Sequence, residues 1–190
     1  MPTKGNYASM ERYPLLDRKD WSAEQEIAAQ ALIATPRGEV RGPFIPLLYS
    51  ASLLDHVQKL GEYLRYDSLL EPRLREVAIL VTAVAWSQGY EWQAHARHAS
   101  AAGVLPETVD AIAQGRDHPG TPQDEREIIA FCRELHADQH VGDARHEAIV
   151  RRHGRAGAVE LTGICGYYTL LAMVLNVAEI GDPEAIANLR

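Results

Sequence analysis

Glu91 and His95 stand four residues apart in the stretch Gln88-Gly89-Tyr90-Glu91-Trp92-Gln93-Ala94-His95. On a helix that spacing puts a carboxylate beside an imidazole, with Gln88 and His98 on the same stripe. Residues 77–86 just upstream read VAILVTAVAW, with Glu76 at their head. A helix this uniformly apolar is buried on most sides. If the chain doubles back through Gly89, the helix bearing Glu76 lies against the one bearing Glu91 and His95. Two carboxylates then meet one imidazole where desolvation and neighbouring charge move all three pKa values, the condition for proton transfer near neutral pH.

The elements that must hold these groups read as helices almost throughout. Ser22 and Gln25 form a capping box for a helix over 23–34, ended by Thr35-Pro36. After the Gly- and Pro-rich loop RGEVRGPFIP, a helical region covers 47–66, interrupted near Ser50, with Leu53, Leu54, Val57, Leu60 and Leu64 at helical spacing. Pro72 opens the apolar helix. Gly103 suits the left-handed position after the histidine helix, and Pro106 begins a short helix to Gln114. GRDHPGT is a loop. Thr121-Pro122 starts a helix whose first turn carries Asp124 and Glu125, where acidic groups complement the dipole. Gly142-Asp143 begins a helix ending near His153, and a long one runs over 158–180 until Gly181-Asp182-Pro183. Seven or eight helices with short connections predict an all-α bundle.

Composition narrows the function classes. With 190 residues, 46% of them apolar, the chain suits one domain with its own core. Nineteen Lys+Arg against 26 Asp+Glu give a formal charge of −7, the wrong sign for nucleic acid. The two cysteines, Cys132 and Cys165, form neither CxxC nor a zinc spacing and read as small buried hydrophobes. The opening MPTKGNYASMERYPLLDRKD lacks the apolar region of a secretory signal, so a cytoplasmic protein is expected. Residues 158–178 approach the length of a membrane span, yet Glu160, Thr162, Thr169 and Asn176 mark a core or interface helix, and no membrane partner is expected. His136, His140 and His146 fall in a polar region and make a weak ligand set, so no metal is assigned.

LREVAIL at 74–80, YEWQAH at 90–95, the AxxAG-like 99–103 and GYYTLLAMVLN at 166–176 together resemble the carboxymuconolactone decarboxylase family. That family shares an all-helical fold with alkylhydroperoxidase D. The resemblance covers about residues 42–180, with GPFIPLL around Phe44 resembling the opening segment of longer single-domain members. It divides the chain into an N-terminal extension with the first helix (1–41), the family domain (42–180) and a tail (181–190). The peroxidase branch places cysteines seven and four residues before the histidine. Here those positions hold Gln88 and Glu91, so disulfide-based peroxide reduction lacks its nucleophile. The decarboxylase branch is similar to this chain in having Glu four residues before His, and Glu76 matches the glutamate of the peroxidase relay. Relative to the classical decarboxylase, residues 115–157 are an addition.

The resemblance implies a carboxy-lyase of aromatic-compound catabolism, acting without cofactor on a carboxylated lactone or related small acid. His95 would deliver the proton, with Glu91 and Glu76 setting its tautomer and basicity. Phe44, Gln88, His98 and Tyr168 are the candidates for contacting substrate, and Arg41, Arg73 and Arg75 for neutralising its carboxylate. Each has a plainer competitor. Glu76 can simply pair with Arg73, and Glu91 with His95 can be an exposed helical pair. Adjacent Tyr167 and Tyr168 point about 100° apart on a helix, which predicts that at most one lines the pocket. A peroxidase-like oxidoreductase and a non-catalytic binding or assembly module are the alternatives. Residues 164–175, ICGYYTLLAMVL, exceed what a bundle of this size covers, and together with the family resemblance they predict a homo-oligomer, a trimer or hexamer.

Overall fold

A computed structural model describes residues 12–182 and 184–187. The described residues form α-helices joined by turns, without a strand: α1 (Ala23–Ile33), α2 (Phe44–Leu47), α3 (Ala51–Glu62), α4 (Pro72–Ala85), α5 (Gly89–Ala101), α6 (Pro106–Ala113), α7 (Gln123–Asp138), α8 (Asp143–Val177) and α9 (Glu184–Ala187). Two of these nine are four-residue pieces, which accounts for the excess over the predicted seven or eight.

Local chemistry explains the boundaries. Ser22 Oγ accepts from Gln25 N–H while Gln25 Oε1 accepts from Ser22 N–H, closing the capping box of α1. Ser50 leaves helical geometry between α2 and α3, and α3 continues into a π-helical turn, Tyr63–Asp67. Leu54, Val57 and Leu64 point into the core, whereas Leu53 and Leu60 occupy a neighbouring exposed stripe. Gly154, with φ +71°, kinks α8 where the sequence predicted a helix boundary, and no loop is needed because glycine adopts this conformation without a Cβ clash. α8 is long and apolar enough to cross a bilayer, with half of its most apolar window buried inside the protein. Pro183, residues 1–11 and residues 188–190 lie outside the described residues, and with them most of the opening segment MPTKGNYASMERYPLLDRKD and the proline of the predicted Gly181-Asp182-Pro183 stop.

α4 is the hub, packing against α5, α6, α7 and α8. Leu74 and residues 76–83 are all buried. α1 packs on α3 and contributes Ala28, Ala29 and Leu32 to the core, while α9 packs on α5. The first helix and the tail are thus built into the bundle. Residues 115–157 supply α7 and the start of α8, the family-like stretch reaching into α7, and α7 packs along α4.

The reversal between α4 and α5 runs through Ser87, whose φ is +49°, rather than through Gly89. Gly89 is needed for a different reason: a Cβ there would lie 1.9 Å from the Asp182 carbonyl oxygen. This close approach seats the end of the chain against the start of α5.

Candidate active site

The reversal lays α5 along α4, and Glu76 of α4 meets Glu91 and His95 of α5. His95 Nδ1 lies 2.6 Å from Glu76 Oε2, and His95 Nε2 lies 3.3 Å from Glu91 Oε2. All three side chains are buried. The exposed-pair reading of Glu91 and His95 therefore fails, and so does the pairing of Glu76 with Arg73. Arg73 instead binds Asp124 and the fully buried Glu125, tying α4 to α7. The first-turn acids of α7 thus serve this ion-pair network as well as the helix dipole.

Burial alone would lower the His95 pKa, yet the hydrogen bonds from Glu76 and then Glu91 outweigh it and raise the pKa from 6.5 to about 9. The cause is charge balance. A neutral imidazole would leave two carboxylates together in a low-dielectric site, while the imidazolium donates to both. At neutral pH His95 is a cation with a proton on each nitrogen. Because the carboxylates hold opposite edges of the ring, they cannot converge with it on one metal ion. Among the described residues no three His, Cys, Asp or Glu side chains are grouped to hold one.

His95 and Glu91 open onto a recess of about 510 Å³, counting the open solvent at its mouth. Glu76 stands behind the ring, outside the lining. Phe44, His98 and Tyr168, named from the sequence as candidates for contacting substrate, line the recess. Tyr168 stands edge-on to His95, with ring centroids 5.0 Å apart. Tyr167 lines it too, against the expectation that only one of the pair would. The two rings sit nearly perpendicular and the recess wraps around this side of α8.

Gln88 is the misplaced candidate. It is the N-cap of α5, its Oε1 accepting from Tyr90 N–H, while its Nε2 donates to Asn176 Oδ1 and the Ile180 carbonyl. With its amide spent on the end of α8, Gln88 is a latch rather than a substrate contact.

The cations also differ from expectation. Arg41 lines the recess, but Arg73 is committed to α7 and Arg75 donates to the Leu70 carbonyl. Arg37 and Arg65 take their places. Arg65 Nη2 lies 3.0 Å from His98 Nε2, and partial burial, then the Arg65 charge, lower the His98 pKa, so His98 accepts as a neutral ring. The Arg37 guanidinium rests 5.3 Å from the Phe44 ring centre. Its Nη1 is buried without a hydrogen-bond partner. Burial raises the Tyr167 pKa to about 12, against the charge and hydrogen bond of Arg37, so the phenol keeps its proton. An unpaired buried guanidinium nitrogen on this wall is a costly arrangement unless a ligand accepts from it. The doubled arginine in RGEVRG was the available signal for Arg37. Arg65 had none, because the π turn sets its direction.

Residues 51–133, from α3 into α7, match the carboxymuconolactone decarboxylase family. No curated protein matches the chain. Among solved structures, the apo debrominase Bmp8 superposes with a TM-score of 0.71 at 15% identity, covering 94% of this chain and 97% of that one. A Cys→Ala variant of Bmp8 in complex with 2,3,4-tribromopyrrole gives a TM-score of 0.72 at 14% identity, with the same coverage. At this identity the likeness is one of fold, and it extends the shared architecture over nearly the whole chain.

Proposed function

We propose that the protein is an acid–base lyase that decarboxylates a small carboxylated substrate, such as a carboxylated lactone, without a cofactor. The observation that carries this reading is the doubly held His95 imidazolium facing a recess walled by Arg37, Arg41 and Arg65. The arginines and the Tyr167 hydroxyl bind the anionic substrate and set its orientation. As the bond to the carboxylate breaks, its electron pair delocalises into the unsaturated lactone and carbon dioxide leaves. His95 then gives its Nε2 proton to carbon and keeps the Nδ1 proton on Glu76. Glu91, beside Nε2 and on the recess wall, returns a proton from solvent. Glu76 is a positioning residue that fixes the ring and sustains its charge.

A thiol mechanism in this recess finds no support, because neither Cys132 nor Cys165 lines it. The deciding assay follows carbon dioxide release from γ-carboxymuconolactone by the wild type, His95→Ala and Glu91→Gln, with circular dichroism to verify folding. Turnover by the wild type that falls at least about a hundredfold in His95→Ala supports the reading. A folded wild type that binds no carboxylated lactone and releases no carbon dioxide overturns it. Bromide release from 2,3,4-tribromopyrrole, run in parallel, tests whether the likeness to the debrominase extends beyond the fold.

A further inference from the structure

Cys132 on α7 and Cys165 on α8 bring their sulfurs to 3.4 Å across the interface of the two helices. Both are free thiols and both are buried. The sequence reading took them for independent apolar fillers, since nothing in a separation of 33 positions announces the contact. Around them the structure places two further polar groups. Thr82 of α4 is fully buried and donates to the Ala78 carbonyl, and its oxygen lies 2.9 Å from Nε2 of His136 on α7. His136, expected on a solvated surface, turns inward and is half-buried, connecting the cluster to solvent.

We propose that Cys132 and Cys165 are a reversible dithiol–disulfide pair, a second reactive site distinct from the recess, oxidised by a small hydroperoxide such as hydrogen peroxide. Forming the bond requires the sulfurs to approach from 3.4 Å to about 2.05 Å. In the first step the Cys165 thiolate attacks one oxygen of hydrogen peroxide, the O–O bond breaks, and the leaving hydroxide takes one proton to become water. Cys165 is then a sulfenic acid. The Cys132 sulfur attacks it, the S–O bond breaks, and hydroxide leaves as a second water using the Cys132 proton. Two thiols and one hydrogen peroxide become one disulfide and two waters, with sulfur oxidised and peroxide oxygen reduced.

The surroundings assign the roles. The hydrogen bond from Cys132 lowers the Cys165 pKa most, burial opposes it, and His136 and Thr82 lower it further. Cys132 is pushed the other way by the same contact and by burial, which keeps its proton in place until the second step. Thiolate character at one sulfur beside a protonated partner is the pattern of an attacking and a resolving cysteine. His136 provides the route by which the proton lost from Cys165 reaches solvent.

The test treats the full-length native protein with hydrogen peroxide at neutral pH, then denatures it in an alkylating agent and measures intact mass and peptides. The expected result is loss of both alkylatable thiols, a Cys132–Cys165 cross-linked peptide, recovery with dithiothreitol, and a melting temperature several degrees higher in the oxidised form. Cys132→Ser is expected to stop at the sulfenic acid, one oxygen heavier. Should that variant fail to fold, the wild-type peptide map decides alone. Free methionine added to the sample serves as the gauge of peroxide dose. Both thiols remaining free at doses that oxidise the added methionine, or a disulfide that forms only in unfolding denaturant, overturns the proposal.

Discussion

Glu76 and Glu91 hold opposite edges of one imidazole, the first reaching across from α4 and the second from one turn earlier on the same helix. Removing Glu76 therefore removes the shorter hydrogen bond and half of the charge that keeps His95 protonated. Activity that needs the imidazolium holds up to about pH 8 and falls as pH rises through about 9. In Glu76→Gln the His95 pKa drops and this alkaline limb moves to lower pH. A pH–rate profile of kcat for the two proteins checks it, and an unmoved limb would show that Glu76 does not govern His95.

The same ionisation bears on stability. The folded-state pKa of about 9 exceeds the ordinary 6.5, so the native state binds a proton that the unfolded state releases between these values. The contribution is complete below pH 6.5 and is lost as pH rises through about 9, with an upper bound of roughly 3 kcal/mol. Urea denaturation at pH 6, 8 and 10 should show this decline in the wild type and a flatter dependence in His95→Gln.

Arg37 carries a buried guanidinium nitrogen with nothing to donate to. If its partner is the substrate carboxylate, Arg37→Ala raises KM by about 10- to 100-fold and changes kcat far less, the pattern of binding energy expressed equally in ground and transition states. A loss confined to kcat would instead place Arg37 at the reacting atoms.

Gly61 in α3 faces the Tyr167 hydroxyl, which would lie 2.0 Å from a Cβ at that position. Alanine for glycine inside a helix ordinarily stabilises by about 0.5–1 kcal/mol. Here Gly61→Ala should destabilise by about 1–3 kcal/mol, because the ring that must yield is itself packed. A thermal melt gives the sign directly.

α8 leaves Val159, Met173 and Val177 exposed at helical spacing, with half-buried Leu170 between them. We infer that a second copy of the chain covers this stripe. Sedimentation should show an oligomer that Met173→Lys dissociates, and a wild type that is monomeric at micromolar concentration contradicts the inference.

Much of the fold was legible because local signals carried it. The Ser22–Gln25 box, Pro72, Pro106 and the charge-free run after Glu76 each report on their own neighbourhood, and the structure follows them. The pairing of Glu91 with His95 was legible for the same reason. What escaped depends on contacts between distant segments. Gln88 shares the stripe of Glu91 and His95, and its amide nitrogen is taken up by Asn176 and the Ile180 carbonyl, about ninety residues away in sequence. Arg73 and Arg65 differ in use because α7 brings two carboxylates to one and a π turn redirects the other. His136 looked solvated because its helix is polar, and the inward turn follows from Thr82 lying beneath it.

The proton-handling groups come from one stretch of chain, and much of the wall that meets the ligand comes from two others. Glu76, Glu91 and His95 all fall within residues 51–133, whereas Arg37, Arg41 and Phe44 precede that stretch and Tyr167, Tyr168 and Leu171 follow it. A lineage carrying this architecture is free to exchange its opening loop and closing helix, and with them its diet, while the Glu76–His95–Glu91 arrangement passes unchanged from one trade to the next.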